Sequence, residues 1–190
     1  HRLYIPRRIS VPSATPFLGF IISPWVYGFI VSLQERGLRI PRLVISDAHS
    51  RLVAAIRKGF SGASWQRCKV HFMRNILAHV PHKEKNAFAQ QLKTIWLAPT
   101  REQAYRRAED LCQQYERRFP KAIRCLEAGL EGSLAFYAFP QLDARKISST
   151  NVLERLNREI RRRTNAVGIF PNPEAYTRLV TTYLMEYAED

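Results

Sequence analysis

Through the middle of the chain, apolar side chains recur at intervals of three and four. Phe88, Leu92, Ile95 and Trp96 form one set, Ala104, Ala108, Leu111 and Tyr115 a second, and Ile123, Leu126 and Leu130 a third. That spacing places each set on one side of a helix. Thr100 followed three residues later by Gln103 is a capping-box signature ahead of the second set, and Pro120 suits the first turn of the third. Residues 79–146 therefore predict an α-helical stretch that closes near Phe139 and Pro140.

The pattern before residue 79 is different. Trp25, Phe29, Ile30 and Leu33 predict a helix from Pro24 to Arg36 that stops at Gly37. PRLVISDAH (41–49) is a short β-branched run, read as a buried strand with Asp47 at its carboxyl end. SRLVAAIRKGF (50–60) predicts a helix with Leu52, Val53, Ile56 and Phe60 on its inner face, and SWQRCKVHFMRN (64–75) predicts a second strand with a polar exit. Strand, helix, strand in close succession predicts a parallel α/β unit. Further on, STNVLERLNREIRRRT (149–164) predicts a helix with Asn151 and Glu154 at the N-cap and N3 positions, Glu159 paired with Arg163, and Leu153, Leu156 and Ile160 facing inward. The expected organisation is an amino-terminal part of the core over 1–78, with 1–23 atypical, a helical insertion over 79–146, and helices returning to the core over 147–190. There is no internal repeat.

At 190 residues and 46% hydrophobic, the chain can bury one substantial core, which argues against a disordered or fibrous protein. Its net charge of +14 and pI near 10.3 call for a polyanionic partner, nucleic acid first and an anionic membrane surface second. Cys68, Cys112 and Cys125 are an odd, widely spaced set that suits reduced thiols in the cytoplasm. Residues 9–34 carry no charge, but the dense apolar run 17–31 is broken by Pro24 and is shorter than the roughly 20 residues a membrane-spanning helix needs. The first residue is His1, not Met, so a fragment of a longer protein is expected.

Glu154 opens a helix that then carries Arg155, Arg158, Arg161, Arg162 and Arg163. Locally, this is a capped helix with a solvated basic face. Functionally, the helix could bring Glu154 beside Asp47. Two neighbouring carboxylates stay ionised only with cations between them, and hard oxygen ligands select Mg²⁺ or Mn²⁺. Arg155, Arg158, Arg161 and Arg162 would then grip the phosphates of a nucleic acid without reading its bases. Cys68 and His71 with His79 and His82 form a zinc alternative, against Cys68 as core packing and His71 near the catalytic face. His49 reads as structural, Arg74 and Asn75 as DNA contacts or turn caps, and Trp65 and Trp96 as core residues.

LVISDAHSRL, WQRCKVHFMRN and STNVLERLNREIRRRTNAVGIFPN, in that order, resemble the Mutator-type transposases of bacterial insertion sequences from about Pro41 to the end. The resemblance implies an RNase H-like catalytic domain with a DDE site, in which Asp47 is the second carboxylate and Glu154 the third, with a helical insertion between them. It implies DNA cleavage and strand transfer with Mg²⁺ or Mn²⁺, self-association with other transposase copies, and a cytoplasmic, nucleoid-associated place of action. Cys68 and His71 match the family's C-x-x-H pair. The pattern also requires an earlier Asp, and Glu35 is the one acid before residue 47. The two-metal site is thus expected to be incomplete, and a catalytically dead DNA-binding remnant is the alternative.

Overall fold

The computed structural model describes residues 24–189, and two compact units divide them after Thr150. The expectations for residues 1–23, including most of the uncharged stretch, lie outside the described residues. In the first unit, helix α1 (Pro24–Glu35) leads through Gly37, at φ 94°, to strand β1 (Leu43–Ser46). Helix α2 (Ser50–Gly59) connects β1 to β2 (Ser64–Arg67), and the strands pair in parallel, Leu43 opposite Ser64 through Ser46 opposite Arg67. The α/β expectation thus takes the form of a small two-stranded parallel sheet in a mostly helical chain. The residues of β1 are half-buried, where the β-branched run predicts a buried strand.

Helices α3 (Lys69–Leu77), α4 (His82–Trp96), α5 (Arg101–Tyr115) and α6 (Pro120–Ser133) follow, then a 3₁₀ turn (Ala135–Ala138) and the short α7 (Ala144–Ile147). The periodic sets of α4 and α5 are buried throughout, as are Ile123 and Leu126 of α6. Thr100 accepts the Gln103 N–H at 3.2 Å, so the cap forms where its signature stands. Phe88 meets Tyr115 and Phe119 edge-on, with ring centroids 5.0 and 5.6 Å away. Each such buried side chain contributes about 1.5–3 kcal/mol, which makes this helical cluster the main source of stability in the unit.

Two local expectations are corrected. The second strand ends at Arg67, and the chain from Lys69 onward is helical, so His71, Arg74 and Asn75 lie on α3 and not at a strand exit. Cys68, Phe72 and Ile76 are fully buried at intervals of four, a helical period that outweighs the alternation of the first four residues. On α1, Trp25 and Phe29 are 85% and 62% exposed, while Ile30 turns inward with Val26 and Tyr27 beside it. That helix is apolar nearly all round, so its period cannot select the buried side. Its partner α2 selects it, because Gly59 leaves room for Ile30, whose Cγ2 would lie 2.5 Å from a Cβ added there.

A buried amide joins the sheet to the helical cluster. Gln66 is fully buried on β2, donates to the carbonyls of Ser133 (2.8 Å) and Arg67 (2.7 Å), and accepts the Phe136 N–H (2.8 Å). Trp96 donates to Ser133 Oγ at 3.0 Å and Ser133 Oγ to Leu130 O at 2.7 Å, so the end of α6 is bonded from both sides.

The second unit pairs α8 (Asn151–Val167) with α9 (Pro173–Glu189). Gly168, at φ 75°, ends α8, and Asn172 Oδ1 accepts the Ala175 N–H at 2.8 Å to start α9. The inward stripe runs through Leu156, Ile160 and Thr164; Leu153, expected to join it, is 55% exposed. Among the described residues no helix is long and apolar enough to cross a membrane.

Replacing Gln66 by Leu keeps the volume but strands the Ser133 carbonyl and the Phe136 N–H. Urea unfolding is expected to show a loss of about 3 kcal/mol, the cost of two unpaired buried groups. A loss below about 1 kcal/mol would mean that the amide does not tie β2 to α6.

Candidate functional site

Asp47 is the first residue beyond β1, at the carboxyl end of a parallel pair, where α/β folds place their ligands. Three bonds fix its backbone. Trp65 Nε1 donates to Ser46 Oγ (2.9 Å), Ser46 Oγ donates to the Asp47 carbonyl (2.9 Å), and the Cys68 N–H donates to the Ser46 carbonyl (2.9 Å). Trp65 is thus a structural residue, as expected, and its indole N–H helps to aim the site.

His71 stands one turn into α3 and its Nδ1 bonds Asp47 Oδ1. Cys68, Asp47 and His71 each bring a ligand atom within 4.8 Å of the others. His79 and His82, the other half of the zinc alternative, are exposed and do not join this group. A cleft of about 450 Å³ opens in front of Asp47, lined by His49, Arg67, His71, Arg74 and Asn75. His49 is the N-cap residue of α2 without a capping bond from its side chain. All three cysteines are free; burial pushes the Cys112 thiol up to about 11, which keeps it protonated and unreactive near neutral pH.

Arg67 was not singled out from sequence, although strand alternation puts it on the same side of β2 as Trp65. Its guanidinium lies 4.0 Å over the Phe72 ring. Burial lowers its pKa, opposed by the nearby Cys125 and Asp47. The room for it comes from Gly129 on α6, where an added Cβ would sit 2.0 Å from Arg67 Nη1 and 2.7 Å from the Phe72 ring. A cation is therefore held near Asp47 by a missing side chain on another helix.

In the second unit, Glu154 lies in the first turn of α8 and is half-buried. Arg155, Arg158, Arg161 and Arg162 are all exposed, with Arg155, Arg158 and Arg162 on the side of the helix away from Ile160 and Arg161 at its flank. They are not equivalent. Arg162 makes a two-pronged bond to Glu159 (2.9 and 2.6 Å), and Arg163 adds the expected 3.2 Å bond to the same carboxylate. The Arg162 bonds foremost hold Glu159 down to about 2. Arg163 also lies 4.1 Å over the Tyr183 ring and 3.8 Å from Glu186, so it serves the pairing of α8 with α9. The structure thus assembles Asp47, Cys68 and His71 in one unit, and Glu154 with its arginines in the other.

Comparison with known proteins extends this picture. The sequence model of the family described as "Transposase, Mutator family" matches residues 23–190. The chain is similar to the transposase for insertion sequence element ISRM5 of Rhizobium meliloti, 42% identical over 85% of this chain and 41% of that protein. It is also similar to the transposase for insertion sequence element IS256 in transposon Tn4001 of Staphylococcus aureus, 40% identical over 85% of this chain and 42% of that one. With the transposase for IS1081 of Mycobacterium tuberculosis the identity is 37%, over 96% of this chain and 42% of the relative. The chain spans about two-fifths of the length of these curated relatives.

Two outcomes follow from the geometry. Gly129→Ala is expected to lower stability by about 1–3 kcal/mol in thermal unfolding, because Phe72 is core and cannot yield as Arg67 can. Glu159 has a folded pKa below the unfolded value of about 4.3, so its bonds stabilise the folded state above that value and are lost as pH falls toward about 2. Wild type and Glu159→Gln are therefore expected to differ in midpoint temperature at pH 7 and to draw together as pH falls through about 2. A difference as large at pH 2 as at pH 7 would contradict the ion-pair origin.

Proposed function

The chain belongs to the Mutator family of transposases, and from that premise we propose that it forms part of a transposase catalytic domain that cuts DNA and transfers the cut strand. The parallel β1–α2–β2 unit supports an RNase H-like core, with residues 79–146 as its helical insertion and 147–190 returning to it. The observation that carries the reading is Asp47, held by its backbone at the carboxyl end of a parallel strand, facing an open cleft with Arg67 and His71 beside it.

Asp47 and Glu154 are the proposed ligands of a divalent ion in a DDE-type site. The donor chemistry around Asp47 suits Mg²⁺ or Mn²⁺. The carboxylate offers hard oxygen, His71 Nδ1 is engaged with Asp47, and Cys68 Sγ is engaged with Thr150. Such an ion takes one or two carboxylates and completes its shell with water and substrate phosphate. When bound, it supplies Lewis-acid activation of the attacking oxygen and stabilisation of the leaving one. Arg155, Arg158 and Arg161 would neutralise phosphates of the bound DNA, with Arg162 contributing less because Glu159 already holds it. Self-association with further transposase copies, and action at the nucleoid, belong to the same proposal.

A second reading, DNA binding without cleavage, is favoured by one observation: Arg155, Arg158 and Arg161 are exposed on α8, and contacts of this kind to phosphates need no metal.

Labelled insertion-element ends incubated with the chain and Mg²⁺ separate these readings. Under the first, cleavage appears and falls on the order of a thousandfold in Asp47→Asn and in Glu154→Gln. Cleavage that survives either change overturns the assigned roles. Salt-dependent binding with no cleavage, indifferent to EDTA, supports the second. In both, Arg155→Ala, Arg158→Ala and Arg161→Ala should each reduce the salt slope of binding by about one, and Arg162→Ala by less.

A further inference from the structure

Cys68 and His71 lie three residues apart at the start of α3, and each holds a different part of the chain. His71 bonds the Asp47 carboxylate. Cys68, fully buried, is the N-cap residue of α3, and its sulfur lies 3.4 Å from the Thr150 backbone nitrogen and 3.3 Å from Thr150 Oγ1. The next residue repeats the attachment, as the Lys69 N–H donates to the Ser148 carbonyl at 2.9 Å. The first turn of α3 therefore carries residues 148–150, which lead directly into α8, and the carboxylate that leaves β1.

We propose that Cys68 and His71 are positioning residues, a bracket that orients Asp47 through His71 and anchors the entry to α8 through Cys68. The inference rests on the reading above that Asp47 and Glu154 take a divalent ion. His71 occupies one carboxylate oxygen, which restricts rotation of the Asp47 side chain and directs the other oxygen to the ion. Cys68 acts at Thr150, four residues ahead of Glu154, so a change there reaches the ion only through Glu154. A nucleophilic role for the thiol does not fit, because its sulfur is fully buried. A zinc role would recruit the Cys68 sulfur and a His71 ring nitrogen as ligands beside Asp47 and would show as bound zinc.

The test is Mn²⁺ binding to the full chain, followed by electron paramagnetic resonance, with far-ultraviolet circular dichroism and urea unfolding on every variant. Asp47→Asn is expected to abolish the tight site. His71→Ala should weaken binding about tenfold, as for loss of an outer partner of a metal ligand, and His71→Asn, whose amide can reach the place of Nδ1, should return it to within about threefold of wild type. Cys68→Val should weaken binding in the wild-type background and have no further effect once Glu154 is Gln, whereas a merely structural cysteine would weaken both alike. If Asp47→Asn abolishes binding while folded His71→Ala and His71→Asn bind like wild type, the bracket is wrong and the ligand assignment stands. If Asp47→Asn leaves binding unchanged, the ligand assignment fails and the bracket with it. One equivalent of zinc retained through purification, and lost in Cys68→Ser, would also overturn the bracket.

Discussion

The last rung of the parallel ladder, from the Cys68 N–H to the Ser46 carbonyl, is the constraint on which the candidate site depends. It lies one residue beyond the paired strands, where β1 turns out toward Asp47 and β2 turns into α3. Because the two strands run in parallel, both exits fall at the same end of the sheet. A side chain one helical turn along α3 then reaches the residue that follows β1, although 24 positions separate His71 from Asp47. An antiparallel pair would have sent the two exits to opposite ends of the sheet, about one strand length apart, and the first turn of α3 would then start away from Asp47.

Positive charge is organised at two levels. The excess of Lys and Arg over Asp and Glu, 30 against 16, favours a polyanion in general, and the local pairings decide which cations are available to it. Arg162 and Arg163 are committed to Glu159, and Arg163 also to Tyr183 and Glu186. Arg67 is set over Phe72 in space that Gly129 leaves open. On α8, then, a run of arginines that reads as one basic face divides into residues that hold the helix pair and residues turned to solvent.

Much of the fold was legible in the sequence where a helical period was combined with a cap. The sets in α4 and α5, Thr100 before α5 and Pro120 at the start of α6 all stand where the spacing puts them. Legibility failed where the pattern was short or apolar on every side. Four strand residues, Ser64–Arg67, run straight into a helix whose N-cap is a cysteine, a residue that carries no start signal of its own. On α1 the choice of buried side came from Gly59 on another helix, which no local window contains. At the candidate site, the C-x-x-H pair was visible as a spacing. Its partners were not, because Thr150 and Asp47 meet it through tertiary contacts over 82 and 24 positions.

The reading of the chain as a divalent-ion site depends on Asp47 and Glu154 serving the same ion. The direct measurement substitutes Fe²⁺ for the ion, adds ascorbate and peroxide, and maps where the hydroxyl radicals formed at the metal cut the polypeptide. Cuts beside both residue 47 and residue 154, all of them lost together in Asp47→Asn and again in Glu154→Gln, are the expected result. Cuts at one position alone, or two sets lost independently, would contradict a shared ion.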